Sequence, residues 1–176
     1  YVEDDPTDPL SVYGASKLAG EQALLTAAPD NACVLRSAWL FGPGRKNFVS
    51  TILRLAASSP RLTVVHDQVG SPTFTADLAA MSLALAEAEA TGVVHAANGG
   101  QASWCELACE AVSLANVDSL VQPITSEQWP QKARRPTYSV LDTGRLTRLT
   151  GIKPRPWPQA LRDYIFQSFA AGTEAH

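Results

Sequence analysis

Ala32-Cys33-Val34-Leu35-Arg36-Ser37-Ala38-Trp39-Leu40-Phe41, closed by Gly42-Pro43-Gly44, is the stretch on which the architecture turns. Its near-continuous apolar start suits a strand buried on both faces, as in a parallel sheet. Before it, residues 11–28 read as a helix: Leu18, Gln22 and Leu25 are spaced for one face, alanines favour the helical state, and Pro29 ends it. After it, Asn47 to Ala57 reads as a second helix with Phe48, Ile52 and Leu55 inward. A short strand at 62–65, a turn at 70–73 and a third helix capped by Thr75 or Asp77 and running to about Ala90 come next. Residues 93–97 read as a strand and 98–100 as a turn. Ser103 caps a fourth helix to Leu114, with Glu106 at the reciprocal capping position. A Pro-containing stretch over 121–138, an extended segment at 137–142, a short helix from Thr143 to Thr150 ended by Gly151, and a last helix from about Pro158 to Ala170 complete the chain. The tail to His176 is expected to fray. This alternation of helix and strand predicts an α/β fold with a parallel sheet.

The bulk properties bound the partners. At 176 residues, 45% hydrophobic and 18% charged, the chain is long enough for one well-packed unit. A net charge of −3 gives no electrostatic case for nucleic acid. The charges are unevenly spread: residues 1–30 hold six acids and one base, and residues 132–155 hold seven bases and one acid. That basic segment suits a phosphate-bearing small molecule, or is a solvated face. Cys33, Cys105 and Cys109 are odd in number and fit no zinc spacing, so a disulfide framework is not expected; reduced thiols suit a cytoplasmic protein. Cys105 and Cys109 are spaced to share a helix face as small apolar residues. His66, His95 and His176 share no ligand spacing, so no metal site is expected, and His95 reads as a packed residue. No signal-peptide pattern and no bilayer-length apolar run is present, so no membrane partner is expected. The chain opens without Met on the acidic loop Tyr1–Pro9, which reads as the interior of a longer protein cut at a surface loop.

Two features carry chemistry. Tyr13 and Lys17 stand four apart at the start of the first helix, so both side chains lie on one face. A phenol is a proton donor whose anion an adjacent ammonium stabilises, which is the acid a carbonyl needs as hydride reaches its carbon. Conversely, no glycine-rich turn of the dinucleotide type follows a strand anywhere in the chain, so the phosphate cradle lies elsewhere.

Glu3-Asp4-Asp5-Pro6-Thr7-Asp8-Pro9-Leu10 followed by Tyr13-Gly14-x-Ser16-Lys17-Leu18-Ala19-Gly20-Glu21 resembles the catalytic helix of extended short-chain dehydrogenases/reductases. Arg36–Gly42, Asn47-Phe48-Val49, Asp67-Gln68-x-Gly70-Ser71-Pro72-Thr73 and Arg135-Pro136-x-Tyr138-Ser139-x-Leu141-Asp142 narrow the resemblance to the dTDP-4-dehydrorhamnose reductase family. The resemblance covers nearly the whole chain and corresponds to roughly the second half of the family's length. It implies an incomplete Rossmann-type parallel sheet, whose N-terminal glycine-rich half is absent, and a smaller substrate-binding lobe. Residues 1–40 and 72–98 would carry the catalytic helix and complete the Rossmann part; 41–71 and 99–176 would build the lobe. The implied activity is reduction of the 4-keto group of dTDP-4-dehydro-L-rhamnose to dTDP-L-rhamnose with NADPH or NADH. The absent half should hold the glycine turn, the residue that chooses between the two cofactors, and the Thr or Ser that completes the catalytic triad.

By the same resemblance Tyr13 and Lys17 are catalytic, and Tyr13, Lys17, Ser37 and Ala38 meet the cofactor. Trp39, at the strand end, would face the deoxysugar or pack as a core residue. Asn47 would bond the diphosphate or cap its helix, and Gln68, Ser71 and Thr73 would line the cleft or serve the turn. Arg135, with Arg134 as rival, would hold the diphosphate. A homodimer is compatible with the family. Other nucleotide-sugar reductases and epimerases share the Tyr–Lys pair, and a non-catalytic regulatory subunit retaining the fold is a third reading.

Overall fold

The computed structural model describes residues 1–129 and 135–169. Ser11 opens helix α1 (Val12–Ala27) by accepting the Gly14 N–H, and Ala28 closes it, one residue ahead of Pro29. Strand β1 (Cys33–Arg36) follows, then β2 (Leu40–Phe41), α2 (Phe48–Ala56), β3 (Arg61–Val65), β4 (Val69–Gly70) and β5 (Thr73–Phe74). Next come α3 (Thr75–Glu87), β6 (Gly92–His95), β7 (Ala102–Ser103), α4 (Trp104–Leu114) and β8 (Leu120–Ile124). A 3-10 turn (Ser126–Gln128), β9 (Tyr138–Ser139), α5 (Gly144–Thr150) and α6 (Trp157–Phe169) end the described chain.

The architecture is α/β, with short sheets in place of one continuous parallel sheet. β1 and β6 pair in parallel from Cys33↔Gly92 to Arg36↔His95. β2 pairs in parallel with β5, and β3 with β8. β4 lies between antiparallel β7 and parallel β9. The expected strand over 32–41 is therefore broken in two. The break falls at Trp39, whose φ of 48° takes an L-residue into the left-handed region and turns the chain from one sheet to another.

Several local expectations are corrected. The stretch read as a turn at 70–73 contains parts of two strands joined by buried Ser71 and Pro72. The N-cap of α3 is Phe74 with no side-chain bond, because Asp77 is drawn to partners far along the chain. Residues 120–124 of the Pro-containing stretch form β8, with Pro123 tolerated on an edge strand. Leu55 is exposed; Val49, Ile52, Leu53 and Ala56 face inward on α2. On α1 Gln22 is exposed, and the half-buried row is Gly14, Leu18, Glu21, Leu25 and Ala28. The capping box of Ser103 and Glu106 forms as read, and left-handed Gly151 ends α5.

The core has three clusters. Phe41, Phe74, Leu107, Leu161 and Tyr164 meet between β2, β5, α4 and α6. Ile52, Val64, Ala108 and Val112 join α2 and α4 to β3 and β8, and Met81, Leu85, Val94 and Leu146 join α3 and α5 to β6. Each large apolar side chain so buried contributes about 1.5–3 kcal/mol. α1 belongs to none of these clusters: none of its residues is fully buried, and it touches the body through β1.

Candidate active site

α1 packs against the strand that follows it, so its first turn lies beside the end where β1 stops. The level is fixed by Glu21, whose carboxylate takes Arg36 at that end: Oε2 accepts from Nε at 2.9 Å and Oε1 from Nη2 at 2.5 Å. This bond, against desolvation, holds the Arg36 guanidinium above its ordinary pKa. Tyr13 precedes Glu21 by eight residues, about 12 Å along the helix axis, and so projects beyond the strand end. In open α/β sheets ligands bind outside that end of the strands. Tyr13 is 73% exposed, and Lys17 Nζ lies 5.4 Å from its ring centroid, a cation–π approach. The Tyr–Lys pair read from sequence is thus assembled and open to solvent.

The chain leaving β1 carries Ser37, Ala38 and Trp39. Ser37 Oγ is buried without a hydrogen-bond partner. Trp39 stacks on Trp104 with ring centroids 3.6 Å apart and planes at 9°. Its carbonyl accepts the Thr73 N–H at 3.1 Å, and Gly70 approaches it so closely that a Cβ there would stand 2.5 Å from Trp39 Cε2. Trp39, Gly70 and Thr73 therefore form one unit, with part of the indole already engaged by protein.

Gln68, Ser71 and Thr73 are buried and turned to protein partners. Gln68 Nε2 donates to Ser126 Oγ at 2.8 Å, Ser71 Oγ accepts the Leu141 N–H at 3.0 Å, and Thr73 Oγ1 donates to the Ser71 carbonyl at 3.2 Å. Ser126 in turn donates its N–H and hydroxyl to Asp67, and these bonds, the backbone one first, hold the Asp67 carboxyl below its usual range. Asn47 caps α2: its Oδ1 accepts the Ser50 N–H, and its amide donates to the carbonyls of Gly42 and Arg45 and to the Tyr164 hydroxyl. Arg135 is exposed; Arg134 lies outside the described residues, as do Lys132 and residues 170–176. No hydrogen bond, ion pair or ring contact among the described residues joins Tyr13 or Lys17 to Trp39, Asn47, Gln68, Ser71, Thr73 or Arg135.

A second polar centre escaped the sequence reading. Asn98, buried just past the end of β6, accepts the Phe74 N–H at 2.8 Å and donates to Asp77 Oδ2 at 2.7 Å. Arg155 bridges Asp77 and Asp163, reaching Asp77 at 2.8 Å. The signal that was available is Asn98 itself, a polar residue where a buried strand ends. A cleft of about 510 Å³ opens beside it, walled by Asn98, Gln101, Tyr138, Leu141 and Asp142 among others. None of the candidate site residues lines this cleft, although Tyr138, Leu141 and Asp142 of its wall belong to a motif quoted above. His95 is buried as read; desolvation first, with Arg36 adding, holds its pKa below the ordinary value despite Glu3. Cys105 and Cys109 meet along one face of α4, the first buried and the second exposed; burial first, then Cys109, pushes the Cys105 thiol up to about 11. Among the described residues no group of three or more His, Cys, Asp and Glu converges to hold a metal ion, and no helix is long and apolar enough to cross a membrane.

Known proteins resemble this chain in sequence and in fold. A dTDP-4-dehydrorhamnose reductase of Streptomyces griseus is 44% identical over 170 residues, covering 93% of this chain and 56% of its own length. A crystal structure of a dTDP-4-dehydrorhamnose reductase from Clostridium acetobutylicum superposes with a TM-score of 0.90 at 39% identity, over 95% of this chain and 59% of that one. The Bacillus anthracis dTDP-4-dehydrorhamnose reductase, solved in complex with NADP, gives a TM-score of 0.88 at 36% identity with the same coverage. The chain therefore spans a little over half the length of the relatives it matches. The family profile described as the RmlD substrate binding domain matches residues 1–169, from the acidic loop through the Tyr–Lys helix to the end of α6. With sequence and fold in agreement, the chain belongs to the RmlD substrate binding domain family.

Proposed function

We propose that this chain is the catalytic-helix and substrate-binding part of an NAD(P)H-dependent reductase that converts the 4-keto group of dTDP-4-dehydro-L-rhamnose to the alcohol of dTDP-L-rhamnose. The observation that carries the reading is the solvent-facing pair at the start of α1, Tyr13 with the Lys17 ammonium over its ring, in a chain of this family. Tyr13 gives its phenolic proton to the keto oxygen as negative charge grows there, and Lys17 stabilises the phenolate left behind. When bound, the nicotinamide cofactor supplies the hydride. The residues present fit its nicotinamide end: the exposed Tyr13–Lys17 face, the unpartnered Ser37 hydroxyl and the Ala38 backbone. Its diphosphate belongs to a glycine-rich turn that the 176 residues do not contain.

In this reading exposed Arg135 takes the substrate diphosphate, and Trp39 presents to the sugar the part of its indole that Trp104 leaves open. Gln68, Ser71 and Thr73 hold the wall behind Trp39. Asn47 shapes the adjoining loop through its bonds to Gly42 and Arg45. Residues 1–40 and 72–98 belong to the cofactor part, and 41–71 and 99–176 to the substrate lobe. The partners are the nucleotide-sugar and a second copy of the chain in a homodimer, and free cysteines fit a cytoplasmic setting. The test is NADPH oxidation by the full-length protein that contains this chain, with dTDP-4-dehydro-L-rhamnose. Oxidation that requires the sugar supports the reading. Interconversion of 4-epimers without net oxidation points to an epimerase, and binding without either reaction to a regulatory subunit.

A further inference from the structure

Glu21 follows Lys17 by four residues on α1, the spacing at which a carboxylate and an ammonium pair along a helix. The structure pairs them otherwise. Both Glu21 oxygens are taken by Arg36 across the helix–strand junction, and the two side chains are only 13% and 25% exposed. A bidentate guanidinium–carboxylate contact is stronger and more directional than an exposed ammonium contact. The ion pairs among the described residues are Arg36–Glu21, Arg155–Asp77 and Arg155–Asp163, so Lys17 joins none of them. Its ammonium lies over Tyr13 instead.

We propose that Arg36 is a positioning residue: by occupying both oxygens of Glu21 it denies Lys17 its neighbouring carboxylate and keeps the ammonium beside Tyr13. The charged and titratable groups facing this junction are Lys17 and Glu21 from α1, Arg36 from β1, His95 from β6 and Glu3 from the opening loop. Glu3 is itself occupied, its Oε1 accepting the His95 N–H at 2.9 Å. Removing Arg36 therefore frees Glu21, the carboxylate nearest to Lys17 along the helix. The inference rests on the reductase reading for its kinetic consequence but not for its geometry.

The test compares Arg36→Gln, Glu21→Gln and the double variant in the full-length protein that contains this chain, with turnover normalised to the folded fraction. Arg36→Gln should lower kcat about tenfold and raise the cofactor KM severalfold, leaving the sugar-nucleotide KM within about twofold. Glu21→Gln should stay within about twofold of the parent, and the double variant should return to that level, because no carboxylate remains to draw Lys17 away. A double variant as slow as Arg36→Gln, or a tenfold loss in Glu21→Gln alone, would show that the pair merely clamps the helix and would overturn the proposal. Should Arg36→Gln not fold, Arg36→Lys holds Glu21 by one bond; a partial loss undone by Glu21→Gln supports the proposal, and a loss left unchanged overturns it. If the parent shows no turnover, the reductase reading fails, and a crystal structure of whichever Arg36 variant folds decides the positioning question. Lys17 Nζ within about 4 Å of a Glu21 oxygen supports it, and Nζ still over the Tyr13 ring overturns it.

Discussion

Replacing Gly70 by Ala tests how Trp39 is held. The added methyl would stand 2.5 Å from Trp39 Cε2 and 2.7 Å from Cζ2 and Nε1. Carbon atoms rest comfortably at about 3.5–4 Å, so the indole must withdraw by about 1 Å or the strand must shift. Neither route is free. Trp39 is stacked at 3.6 Å on Trp104, which is itself 4.6 Å from Phe48, and Gly70 is paired with both Ala102 and Ser139. Overpacking of this kind costs about 1–3 kcal/mol. Disturbing a stacked aromatic pair adds about 0.5–1.5 kcal/mol. The sum, about 2–4 kcal/mol, corresponds to a fall in Tm of about 5–15 °C for a chain of this size. Urea unfolding should show the midpoint falling with an unchanged slope. The decisive control repeats Gly70→Ala in a Trp39→Ala background, where the three closest contacts of the methyl are gone and it should cost less than about 1 kcal/mol. An equal cost in both backgrounds would refute the reasoning, since the penalty would then come from the backbone of β4 and not from the indole.

Asn47→Ala should destabilise by about 1–3 kcal/mol, measured by urea unfolding, because it removes the cap and the donations to Gly42 and Arg45. Asn47→Asp keeps the acceptor for Ser50 and should recover less than half of that loss; full recovery would mean that the cap alone matters. His95 has its pKa held below the ordinary histidine value of about 6.5, so the unfolded chain binds a proton that the folded chain declines. Its contribution is full above about pH 6.5 and lost as pH falls below it, so His95→Gln should flatten the decline in stability from about pH 7 to about pH 5, and an unaltered decline would contradict this. Arg155→Met should cost about 1–2 kcal/mol, reduced from a buried pair's value because Arg155 and Asp77 are partly exposed, and adding Asp77→Asn should restore part of it in a thermal melt.

What the sequence made legible was local. Ser103 and Glu106 announce a helix start because both halves of their bonding lie three residues apart, and Gly151 announces a stop through a conformation that glycine favours. Tyr13 and Lys17 were legible for the same reason: four residues fix their shared face. What escaped depends on distant partners. The break at Trp39 comes from a stack with Trp104 and the approach of Gly70, neither of which alters the apolar run that reads as one strand. Asp77 reads as a cap, yet Arg155, 78 positions later, claims it. β4 and β5 are two residues each, too short for alternation to show, and Pro123 disguises β8 because an edge strand need not donate there. Choosing Glu21 over Gln22 as the inward residue of α1 required knowing where Arg36 would lie.

The central claim is that the Tyr13 hydroxyl delivers the proton. Its most direct measurement is the turnover of Tyr13→Phe in the full-length protein that contains this chain, with saturating NADPH and dTDP-4-dehydro-L-rhamnose. Loss of the proton-donating hydroxyl should lower kcat by about 10²-fold or more, with both KM values within about threefold. A kcat within about threefold of the parent would contradict the account.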